Sequence, residues 1–122
     1  MSDYKYIKFT GLTAINGQTD RTFAIYNLRH NSLATDLDVM SIKYLFANSG
    51  EDDIVFSVVK EDGTAFDKTV PADGVQYNAF CAAILDKILS LTSSNKRLHT
   101  IACGASGDIA PTLGRITQVD IG

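Results

Sequence analysis

Read for alternation, the chain opens on a strand. In YKYIKFT, Tyr4, Tyr6 and Lys8 fall on one face and Lys5, Ile7 and Phe9 on the other, the period of two that a pleated strand imposes. NGQTD follows, and Asn16-Gly17 is a turn dipeptide because both residues tolerate positive φ. RTFAIYNL then sets Phe23 and Ile25 against Thr22, Ala24, Tyr26 and Leu28. The opening therefore predicts a β-hairpin.

After the polar stretch RHNSLATD, the segment LDVMSIKYLFANSG supports two periods. Leu33, Leu37, Met40 and Tyr44 recur at helical spacing with Thr35 and Asp38 as a capping pair, whereas Met40, Ile42, Tyr44 and Phe46 alternate. The β-branched IVFSVVK beyond NSGEDD favours a hairpin of 38–47 with 54–61. EDGT turns through Asp62-Gly63, and AFDKTV runs to Pro71, which ends a ladder because it has no N–H.

One segment carries a helical period. Tyr77, Phe80, Ile84, Ile88 and Leu91 form a stripe widened by Cys81 and Leu85, with Asn78, Asp86, Lys87 and Ser90 off it. With Asp73 as its cap, the pattern predicts a helix over about 74–92. RLHTIAC then alternates as a strand, GASGDIAP reads as a loop, and TLGRITQVDIG alternates to the last residue, with Leu113, Arg115, Thr117, Val119 and Ile121 opposite Gly114, Ile116, Gln118 and Asp120. The order implies an α+β domain spanning 1–122. The expected architecture is a mainly antiparallel sheet or partial barrel of roughly six or seven strands, with the amphipathic helix packed across it.

Composition sharpens this picture. Twelve of the 14 acids are Asp, and eleven Thr accompany eleven Ile, a bias toward turns and strands rather than helix interiors. At 122 residues the chain is long enough to bury roughly two-thirds of its unfolded surface without staples. Cys81 and Cys103 sit among apolar neighbours and fit packed, reduced thiols better than a disulfide framework. The net charge of −3 and the scatter of the 11 Lys and Arg argue against a broad phosphate-binding face. The first ten residues lack the order of a signal peptide, and AFCAAIL is far short of a membrane span, so the expectation is a soluble protein made in the cytosol, with no membrane partner.

The stretch RLHTIACGASGDIAP gathers a histidine, two candidate nucleophiles and a carboxylate. If it is a strand, His99 and Cys103 share a face but stand about 13 Å apart, too far for a nucleophile–base pair. His30 is a second imidazole that nothing in the sequence brings near. The GASGD turn lacks the lysine and helix of a P-loop and the spacing of a nucleophile elbow, and its glycines suffice for a tight reversal. Two His and two Cys without close pairing make no zinc spacing, and EDD at 51–53 with Asp36 and Asp38 lacks the EF-hand pattern. No catalytic, metal or cofactor site is expected. A small enzyme using Cys103, Ser106 or Asp108 ranks third among the readings.

Two surfaces remain. Tyr4, Tyr6, Phe9, Phe23 and Tyr26, with Lys5, Lys8, Arg21 and Arg29 nearby, could line a single-stranded nucleic-acid or small-ligand surface, with core packing as the plainer role of the rings. Residues Arg115, Ile116, Thr117, Val119 and Ile121 form a strand that can complete its own sheet or add to a neighbour's. The leading expectation is a non-enzymatic subunit that assembles with copies of itself, of the virion coat, tail or decoration kind. The alternative is a binding module on the N-terminal hairpin.

Overall fold

The computed structural model describes residues 5–25, 33–36, 41–45, 53–92 and 94–121. Its elements are β1 (Lys5–Thr10), β2 (Arg21–Ile25), β3 (Leu33–Asp36), β4 (Ser41–Leu45), β5 (Asp53–Val59), α1 (Pro71–Thr92), β6 (Leu98–Ala102) and β7 (Arg115–Ile121). The class is α+β, and the strands form two sheets, ordered β2-β1-β6 and β3-β4-β5-β7, with no closed barrel among the described residues.

The first sheet grows from the predicted hairpin. β1 and β2 pair antiparallel with Ile7 opposite Phe23, while the 11–20 connection narrows to a two-residue turn at Asn16 and Gly17. Both turn residues adopt positive φ, 51° and 76°, as their chemistry allows. On its other side β1 takes β6 in parallel, Ile7 beside His99 and Phe9 beside Ile101. This is the one parallel ladder among the five of the described residues, the other four being antiparallel as expected, and the long connection that a parallel neighbour needs runs through β2–β5 and α1. Ile7, Phe9, Phe23 and Ile101 share the buried face.

In the second sheet β4 pairs antiparallel with β5, and β5 with β7. Ile54, Phe56 and Val58 alternate inward from β5. β7 does not keep one register. Ser57 faces Gln118 but the next residue, Val58, faces Ile116, so Thr117 is an extra residue in a β-bulge. The bulge turns both Ile116 and Val119 into the core although they are three apart, which strict alternation along 113–121 forbids. Phe9 meets Phe56 edge-on at 5.7 Å between centroids, and one apolar core joins both sheets to α1.

The stripe of α1 packs as its period predicts: Tyr77, Phe80, Cys81, Ile84 and Ile88 are buried, Leu85 and Leu91 partly so, and Asn78, Asp86 and Ser90 exposed. The helix begins earlier than expected, at Pro71, because a proline in the first turn forfeits only an N–H that the helix leaves unbonded. Asp73 is therefore in the first turn rather than the cap. Its carboxylate accepts the Asp67 N–H at 2.8 Å and pairs with Lys60 Nζ at 3.1 Å. The stretch 60–70 is not a strand but two small turns, in which Asp62 accepts from Thr64 and Asp67 from Thr69 through both N–H and hydroxyl.

The Asp67 amide, with help from Lys60, holds the Asp73 carboxyl below its ordinary range, so its folded-state pKa lies under the unfolded one. Its contribution is complete above the unfolded value and vanishes as pH falls through the folded value. Asp73→Asn should therefore be less stable than the parent at neutral pH, with the gap closing in acid. Urea unfolding from pH 7 to pH 2 measures this. A gap constant with pH assigns the loss to shape rather than charge.

Candidate functional site

The stretch 97–111 is a strand running into a loop. His99, Ile101 and Cys103 point inward, as the alternation requires, and His99 Nε2 donates to the Lys96 carbonyl at 3.0 Å. Beyond β6 the chain reverses at Gly104, whose N–H reaches the Ile116 carbonyl at 3.3 Å. Asp108 folds back on the strand: its Oδ2 accepts the Ala102 N–H at 2.8 Å, and its own N–H donates to the Ala102 carbonyl at 2.9 Å. The aspartate thus closes a loop, and Ser106 stands exposed on it.

Burial, with the nearby Asp108 charge second, pushes the Cys103 thiol up to about 12, and burial raises Cys81 to about 11. Neither supplies a thiolate at neutral pH. Native protein should accordingly react with a thiol reagent far more slowly than unfolded protein, and Cys103→Ala should cost on the order of 1 kcal/mol through the void it leaves. Rapid modification of native Cys103 would restore the nucleophile reading. Among the described residues, no three His, Cys, Asp or Glu side chains converge as metal ligands would.

On the N-terminal hairpin, Phe9 and Phe23 belong to the core, edge to face at 5.9 Å, while Tyr6 is exposed. Lys8 pairs with Asp20 at 3.7 Å, and Arg21 pairs with Asp120, donates to the Val119 carbonyl at 2.8 Å and lies over the Phe23 ring at 5.2 Å. Lys5 faces Ile25 in the ladder. Tyr4, Tyr26, Arg29 and His30 lie outside the described residues, as do Asp38, Glu51 and Asp52; Asp36 faces Ser41 at the start of the β3–β4 ladder.

The terminal strand completes its own sheet. Ile121 opposes Ile54, and Arg115 opposes Val59. The Ile116, Thr117 and Val119 carbonyls accept from Gly104, Thr13 and Arg21, so the 11–21 segment seals the edge of β7. This contact also forms an open cleft of about 450 Å³ lined by Leu12, Thr13, Ile15, Arg21, Gln118 and Asp120.

A second surface lies on the outer face of the first sheet. Tyr6 and Leu98 are register neighbours, 41% and 51% exposed. The reading of RLHTIAC by its inward face passed over Leu98, yet the same alternation sets this leucine on the solvent side with Thr100. The cleft has no such local signal, since it brings together residues about a hundred positions apart.

Comparison with protein-family models, with curated proteins and with solved structures found no match to this chain.

Proposed function

We propose that this chain is a non-enzymatic building block that works by associating with copies of itself, as subunits of virion coats, tails or decorations do. The observation that supports the reading is the outer face of the β2-β1-β6 sheet, where Tyr6 and Leu98 lie side by side in solvent. An apolar pair beside a strand edge is a surface that gains from being covered. Light scattering after size exclusion tests the reading: it expects a mass above that of one chain, rising with concentration, and electron microscopy then shows whether the assembly is closed. A single-chain mass at every concentration would overturn it.

A small-ligand module is the second reading, favoured by the cleft at the base of the N-terminal hairpin, whose size falls within the range of small-molecule sites. Single-stranded nucleic acid has less support there, because Lys8 and Arg21 already face Asp20 and Asp120. Titration with oligonucleotides over a range of salt separates these cases, since phosphate contacts give a steep salt dependence.

A further inference from the structure

We infer that two copies of the chain join through their β6 strands, antiparallel about a two-fold axis, with Leu98 of each facing Thr100 of the other. The inference deepens the assembly reading above and rests on it.

The backbone directions of β6 follow from its parallel pairing with β1. Tyr6 donates to the Arg97 carbonyl at 2.7 Å and Cys103 donates to the Thr10 carbonyl at 2.7 Å, so the odd residues 97–103 turn their N–H and C=O groups toward β1. The even residues turn theirs outward. Of these, Ala102 is occupied on both groups by Asp108. Leu98 and Thr100 are left, and no described residue bonds their outward N–H and C=O groups. β7 offers no comparable edge, because the 11–21 segment and Gly104 take its carbonyls. Of the two edges, β6 and β7, β6 alone keeps outward groups that no described residue bonds.

A two-residue edge bounded by Asp108 restricts what it can pair with. Of the antiparallel registers open to two copies, only Leu98 against Thr100 uses both residues of each chain, making four main-chain hydrogen bonds. Registers centred on Leu98 or on Thr100 leave one residue without its match or run into the blocked Ala102. Beyond that pair Lys96, which precedes the strand, leads toward the end of the second copy where the exposed Asp108 caps Ala102. The two-fold repeats this opposite-charge approach at both ends. Leu98 comes alongside the Thr100 methyl on the outer face, where Tyr6 flanks it, so the exposed apolar pair loses solvent as the hydrogen bonds form. The partner that satisfies the polar edge, the charges and the apolar pair together is a second copy of this chain.

Amide hydrogen exchange on the full chain across a concentration series tests the register directly, with scattering mass in parallel. The expected result is that the Leu98 and Thr100 amides, fast in dilute solution, slow at least tenfold as the mass rises to two chains, while His99 and Ile101 stay protected throughout. Thr100→Pro removes an outward N–H without touching the ladder to β1, and should hold the mass at one chain with the helix signal intact. Should Thr100→Pro fail to fold, Leu98→Lys at an already exposed position sets a charge on each side of the axis and should do the same. A parent that assembles while Leu98 and Thr100 still exchange fast, or variants that assemble as the parent does, would overturn the β6 contact and leave self-assembly standing. A parent that stays a single chain overturns both.

Discussion

Phe80→Ala is expected to lower the folding stability by about 3–5 kcal/mol, among the largest losses available to a single side chain here. Phe80 lies at the centre of the α1 stripe and is almost wholly buried between Tyr77 and Ile84, which are also buried. Beneath it the chain has removed a side chain to make room: a Cβ on Gly114 would stand 2.7 Å from the Phe80 ring and 2.8 Å from the Val59 carbonyl oxygen. Ring and bare backbone fit as one contact, so alanine at Phe80 leaves a hole that neither a glycine nor a fixed carbonyl can fill. Ile84→Ala, one turn on, should cost about 2–5 kcal/mol for the same reason. On the exposed face, Asn78→Ala and Asp86→Ala should stay within about 0.5 kcal/mol. Urea unfolding followed by circular dichroism at one protein concentration ranks the four. If Phe80→Ala unfolds with the parent, the stripe faces something other than the chain's own core.

The α1 stripe was legible because a helix announces its buried face within four or five turns of sequence, and Tyr77, Phe80, Ile84 and Ile88 need no distant partner to be recognised. The β1–β2 hairpin was legible for a similar reason, since Asn16-Gly17 sets the turn and Ile7, Phe9 and Phe23 mark the inner face. Which strands lie side by side is a different kind of information. Alternation in YKYIKFT and RLHTIAC states that each has an inner face, but not that Ile7 lies beside His99, because the pairing joins residues with α1 between them. The bulge at Thr117 was hidden too: an extra residue has no composition of its own, and only the need to bury both Ile116 and Val119 reveals it. At 97–111, alternation set His99, Ile101 and Cys103 on one inward face, as the strand has them, while the role of Asp108 in closing the loop on Ala102 depends on a reversal that the glycines permit without specifying.

Gly11→Ala is the second large loss expected, and it tests the close crossing of the two loops that end β1 and β6. Where β1 and β6 end, the chain crosses itself with backbone against backbone: a Cβ on Gly11 would lie 2.6 Å from the Cys103 carbonyl oxygen, and one on Gly104 2.9 Å from the Gly11 carbonyl oxygen. Both glycines hold positive φ, 72° and 83°, so each is required twice, for conformation and for approach. The crossing is anchored on both sides by the Cys103 N–H on Thr10 at 2.7 Å and the Gly104 N–H on Ile116 at 3.3 Å, which leaves the carbonyls little room to retreat. A left-handed alanine costs roughly 1–2 kcal/mol by itself, and crowding a packed contact about 1–3 more, so the variant should lose about 2–5 kcal/mol. Gly17→Ala is the control that separates the two parts. Its φ of 76° is nearly that of Gly11, but nothing lies within 4 Å of its added Cβ, so it should show the conformational cost alone. Equal losses in the two variants would mean that the crossing yields without cost. A larger loss at Gly11 would show that the close contact of the two loops ending β1 and β6 carries a cost of its own, at the point where the segment that seals β7 leaves β1.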